Sequence, residues 1–69
     1  MKFEYFAENV RVERARQKIS QRELAILAKV DKNTIYNVEN GSNITLEKAL
    51  AIAGALGLSL EFLLTNHTK

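Results

Sequence analysis

Asn33, Tyr36, Asn37 and Asn40 recur at the three- and four-residue intervals that align side chains along one helix face, and Lys32 opens the same row. Carboxamides in such a row suit the edges of nucleobases. An Asn side chain donates to N7 and accepts from N6 of adenine in a two-point pair, which discriminates against a wrong base by about 1–3 kcal/mol. Tyr36 offers its ring to a thymine methyl or its hydroxyl to a phosphate, and a plain surface tyrosine fits its position as well. On an isolated helix the bland reading of these amides, a solvated face, would be preferred. The chain just before them reverses that preference.

The row belongs to a helix over Lys32–Glu39, with Asp31 as its N-cap and Asn40-Gly41 as its stop. Ile35 and Val38 supply its apolar side, opposite the amides. Upstream, Ser20-Gln21-Arg22-Glu23 is a capping box: the Ser20 hydroxyl and the Glu23 carboxylate satisfy each other's orphan backbone donors and start a second helix. Leu24, Ala25, Leu27 and Ala28 are expected to face inward from it. Only Lys29, Val30 and Asp31 separate the two helices, the arrangement of a helix-turn-helix over about residues 20–40. Ala25 stands where these helices cross closely and a small side chain is required.

The remaining chain supplies supports for this pair. A first helix over Phe3 to Gln17 places Phe3, Phe6, Val10 and Gln17 on one face. Thr45 caps a fourth helix whose Leu46, Ala49, Leu50, Ala53 and Leu56 are expected inward, and Gly57 ends it. Ser59 caps a short fifth helix with Phe62 and Leu63 turned to the core, and the chain beyond Leu64 is expected to fray. There is no proline, 46% of residues are apolar, and no run alternates with period two, so the fold class is all-α. Without repeats, linkers or low-complexity tracts, residues 1–69 read as a single domain.

Composition excludes several function classes. A 69-residue chain supports a core worth only about 3–5 kcal/mol, so a partner subunit would help. Cysteine is absent, which removes disulfides and thiolate metal sites. The longest uncharged stretch, Ala49 to Leu60, is shorter than the roughly 20 residues a membrane helix needs, and no basic segment followed by an apolar run opens the chain. A cytoplasmic protein is therefore expected. Net charge is +2 and the pI about 9.2. Arg11, Arg14, Arg16, Lys18, Arg22, Lys29 and Lys32 all lie in the first half, and after them only Lys48 and Lys69 are basic. An anion-facing side is accordingly expected in the first half. No catalytic constellation stands out. His67 is the only histidine, in a polar tail; Glu4 and Glu8 read as a solvated helix face; Gly41, Gly54 and Gly57 form no phosphate-cradling loop. Neither enzymatic activity nor a cofactor or metal is expected.

Three blocks in register resemble the Cro/C1-type helix-turn-helix repressor family over about Phe6 to Leu64. They are Ser20-Gln21-x-Glu23-Leu24-Ala25; Val30-x-x-x-Thr34-Ile35-x-x-Val38-Glu39-Asn40-Gly41; and Leu46-Glu47 with Ala53-x-Ala55-Leu56-Gly57-Leu58-Ser59-Leu60. The resemblance implies a five-helix, lambda-repressor-like DNA-binding domain in which helices two and three form the helix-turn-helix. By position it implies that Gln21, through its side chain and the helix N-terminus, holds a DNA phosphate, with Arg22 beside it. It implies that Asp31, Lys32, Asn33 and Asn37 reach base edges in the major groove, and that Asn40 and Ser42 meet the backbone. It also implies that Arg14 and Glu39 form a buried pair tying the first helix to the third, where stranding one charge costs about 3–5 kcal/mol. Asp31 is read either as a cap alone or as an acceptor for a cytosine amine. The sequence departs from the family at Lys18 and Lys29, turn positions usually held by Gly, where Lys costs on the order of 1 kcal/mol if φ is positive. It departs again in the Ser42-Asn43-Ile44 loop, which lacks the usual Lys or Arg and leaves phosphate contacts there to neutral donors.

Leu60 and Leu64, four apart, leave apolar surface over on the last helix. A C2 dimer through it would set two recognition helices about 34 Å apart, one turn of DNA, on a near-palindromic operator. The alternative is that these residues complete a monomeric core. The expected function is a homodimeric regulator of transcription, a repressor or controller, binding double-stranded DNA through Lys32, Asn33, Tyr36 and Asn37 with a preference for A·T-containing half-sites. The rival, from another class, is a protein-interaction module using the same fold, with a toxin or an RNA polymerase subunit as partner.

Overall fold

Residues 5–67 are described by the computed structural model. Among them lie five helices and no strand: α1 (Phe6–Arg16), α2 (Gln21–Ala28), α3 (Lys32–Glu39), α4 (Leu46–Leu56) and α5 (Leu60–Leu64). The all-α expectation holds. Phe3, with Glu4, lies outside the described residues, and α1 starts at Phe6 with Phe6 and Val10 buried as expected. Gln17, placed on the same face, is instead the C-cap residue, and its exposed side chain donates from Nε2 to the Leu56 carbonyl at 2.8 Å.

Caps delimit the elements. The Ser20 hydroxyl accepts from the Glu23 N–H at 3.0 Å, and the Glu23 carboxylate accepts from the Ser20 N–H at 2.8 Å, which completes the capping box. The Thr45 and Ser59 hydroxyls accept from the N–H groups of Lys48 and Phe62. Gly57 ends α4 in the left-handed region, at φ 73°. Asp31 has the extended backbone of an N-cap, but its carboxylate makes no capping bond to α3. The cap reading of Asp31 is thus correct for the backbone and wrong for the side chain.

The core draws Phe6 and Val10 from α1, Leu24, Ala25 and Ala28 from α2, Ile35 and Val38 from α3, Ala49, Ile52, Ala53 and Leu56 from α4, and Leu63 from α5. Ala25 is almost fully buried in the helix-turn-helix, where small size lets the backbones approach. Several apolar assignments are corrected. Leu27 is exposed because Leu24, Ala25 and Ala28 already span about 100° of α2 and Leu27 falls outside that arc. Leu46 and Leu50 are about half exposed, while Ile52, absent from the expected set, is fully buried. On α5 it is Leu63 that points inward. Phe62 lies about 100° round the helix and faces solvent. Its ring packs on His67 with centroids 4.1 Å apart. No described helix is long and apolar enough to cross a membrane.

Candidate nucleic-acid interface

Helix α3 divides cleanly by face. Ile35 and Val38 are buried, whereas Lys32, Asn33, Tyr36, Asn37 and Asn40 are all exposed. An eight-residue helix is too short to hold itself in water. Packing must therefore present this row, and α2 and α1 both lie against α3.

The orientation of α3 is further locked at its last residue. Glu39 is 4% exposed, which for a carboxylate demands full compensation. Arg14 of α1 supplies a two-point pair, Nε to Oε2 at 2.6 Å and Nη2 to Oε1 at 3.1 Å. Arg14 also donates from Nη1 to the Ile19 carbonyl at 2.9 Å. The Gln21 amide donates to Glu39 Oε1 at 3.2 Å, and Arg11 donates from Nη1 to the Glu39 carbonyl at 2.7 Å. The hydrogen bonds to Glu39 hold the Arg14 guanidinium above its ordinary pKa; burial pushes the other way, and the Glu39 charge adds a smaller upward push. One residue thus gathers α1, the start of α2 and the end of α3.

This network also ties Gln21, one of the residues assigned to phosphate contact, to the end of α3. Gln21, half-buried at the head of α2, is joined to Glu39, the neighbour of Asn40. An amide carries two N–H groups, so Gln21 keeps one beyond its bond to Glu39. Asn40 likewise uses one, donating to the Tyr36 carbonyl at 2.7 Å. Arg22 and Ser42 are exposed, and the Ser42 N–H donates to the Asn37 carbonyl at 3.0 Å to shape the turn out of α3. Leu60 and Leu64 are half-buried against the core, each leaving part of its surface over.

Sequence reasoning missed Asn9 and Arg11. Asn9 is buried and donates from Nδ2 to the Leu63 and Thr65 carbonyls at 2.7 and 2.8 Å, fastening the end of α5 to α1. The one available signal was a polar residue beside Val10 on the apolar side of α1. Arg11 carried no signal, because it stands on a solvated face and its partner is a backbone carbonyl. Among the described residues no cluster of three or more His, Cys, Asp or Glu is arranged to hold a metal ion.

Comparison with known proteins agrees with this geometry. A family model described as helix-turn-helix matches residues 10–63. No curated protein sequence gives a significant match. Among solved structures, the restriction-modification controller protein C.AhdI from Aeromonas hydrophila superposes with a TM-score of 0.82 at 32% identity, over 86% of this chain and 91% of that one. The DNA-binding domain of the P22 C2 repressor gives 0.84 at 27% identity, over 100% of this chain and 96% of the other. HppE with iron(II) and substrate gives 0.77 at 32% identity, where the likeness takes in 93% of this chain but 36% of that longer one. The five helices, the exposed polar face of α3 and a family match spanning most of the sequence together place the chain in the Cro/C1-type helix-turn-helix family of DNA-binding transcriptional regulators.

Proposed function

We propose that the chain is a sequence-specific regulator, of repressor or controller type, that binds a near-palindromic operator as a homodimer. The observation that carries this reading is the exposed row Lys32, Asn33, Tyr36 and Asn37 on a helix whose opposite face is buried and whose end is fixed by Glu39. A rigid, solvent-facing row of amides with one cation can enter a major groove and meet base edges without reordering its own backbone. Gln21, Arg22, Asn40 and Ser42 meet phosphates at the two ends of the helix-turn-helix and set its register. The half-buried Leu60 and Leu64 supply the contact between protomers. Likeness to a restriction-modification controller protein and to a repressor's DNA-binding domain supports the class. The reading is of a binding protein of the cytoplasm, with no catalytic role.

Selection from random duplexes at fixed salt, followed by mobility shifts, tests it. The expected outcome is a palindromic consensus with half-sites about 10 bp apart and A·T pairs opposite Asn33 and Asn37. Asn33→Ala with Asn37→Ala should lose sequence preference while keeping its helical circular dichroism. Recovery of all sequences alike by the wild type would sink specific readout, and a partner protein retained by the double variant would favour an interaction module instead.

A further inference from the structure

The Ser42-Asn43-Ile44 loop carries no cation, so its own contacts to phosphate are left to neutral donors. The folded chain supplies one from elsewhere. Two surface grooves flank α3, and both are walled by Thr34 and Lys48. The first runs between α3 and the start of α4 and also exposes Asn37, Ser42, Asn43 and Thr45. The second passes along the turn, beside Lys29 and Asp31. Lys48, in the first turn of α4, is exposed and forms no ion pair among the described residues. No acidic side chain lines the first groove; Asp31 lines the second, where Lys29 stands with it. The polar neighbours of Lys48 in the first groove are hydroxyls and amides, the groups that with Lys and Arg make up the usual contacts to phosphate oxygens. Thr34 adjoins Asn33 in sequence, and Asn37 belongs to the base-facing row, so the groove lies directly against that row.

We propose that Lys48 binds a backbone phosphate of DNA in the groove between α3 and α4, replacing the cation missing from the loop. The inference rests on the regulator reading above. With Gln21 and Arg22 at the head of α2 and Lys48 on α4, phosphate contacts then bracket α3 from both sides. In the second groove Lys29 stands with Asp31, which leaves Lys48 to the phosphate.

The test titrates full-length wild type, Lys48→Ala and Lys48→Arg against the selected operator and an unrelated duplex over a range of salt. Lys48→Ala should bind both duplexes weaker by the same factor, roughly tenfold at 0.1 M salt, with the slope of log K against log salt reduced by about 1. Lys48→Arg should restore the slope, and melting temperatures should agree because the side chain is exposed. In a second arm, single methylphosphonate linkages placed along the operator remove one phosphate charge at a time. One position should weaken wild type and leave Lys48→Ala unchanged. An unaltered slope, or equal losses in both proteins at every position, overturns the assignment of Lys48 while leaving the regulator reading intact. Failure of wild type to bind any duplex overturns both.

Discussion

Glu39 makes no contact with bases in the proposed complex, yet the interface depends on it. Its carboxylate is almost wholly buried and survives because Arg14 and Gln21 donate to it. Removing Arg14 strands that charge, at a cost of about 3–5 kcal/mol, comparable with the whole stability of a domain this size. Arg14→Met should therefore be largely unfolded at room temperature by circular dichroism. Arg14→Met with Glu39→Met removes both charges and should recover most of the folded signal, since an apolar pair of similar volume bears no desolvation penalty. If the double variant were no more stable than the single one, packing rather than the stranded charge would be the cause. The raised pKa of Arg14 adds stability that is complete below the unfolded arginine's pKa and lost only as pH climbs through the folded value. Its contribution is consequently flat across the neutral range.

The helices are held by their ends, and two of those ends are strained. Lys18 and Lys29 both adopt φ 60°, the left-handed conformation that closes α1 and α2. There the N–H of Ile19 reaches the Arg14 carbonyl and that of Val30 the Ala25 carbonyl, so the geometry is fixed by hydrogen bonds regardless of the side chain. A Cβ in this region is costly, and glycine relieves it at some expense in chain entropy. Lys18→Gly and Lys29→Gly should each raise stability by about 0.5–1 kcal/mol, visible as a higher urea midpoint with unchanged slope. A fall in midpoint would mean that the lysine stems pack usefully at these turns. The expectation of positive φ at these two positions came from the family pattern. Nothing in a lysine announces it.

At the scale of the molecule, a 69-residue chain would gain stability from association, and the proposed contact uses the apolar surface left on α5. Phe62, expected in the core, faces outward on the same short helix as the half-buried Leu60 and Leu64. Sedimentation of the wild type should give about twice the 7.8 kDa of one chain. Leu64→Asp should give the monomer mass. Since Leu64 also touches the core, Phe62→Asp serves as the second variant, at a more exposed position. A folded monomer in either confirms the contact, and an unchanged dimer in both refutes it. Operator affinity should fall steeply when dimerisation is lost, because each half-site alone meets few cations.

The helices were legible in the amino-acid order, because their signals are local. Capping residues at Ser20, Thr45 and Ser59, the glycine after Leu56, and the contrast between Ile35 with Val38 and the amides opposite them each act within one or two helical turns. Such short-range hydrogen bonding and periodicity can be read without a third dimension. The rest depends on how the helices pack. Apolar stripes on α2 and α4 were wide enough to allow more than one buried arc, and only the facing helices select Ile52 over Leu50 and leave Leu27 in water. Asn9 and Arg11 find backbone carbonyls far along the chain, partners with no side-chain signature. Lys48, distant in sequence from the amide row, is brought to its flank by the packing of α4. The amide row on α3 was legible from spacing; what holds it rigid, and what stands beside it, depended on contacts between elements that no local pattern encodes.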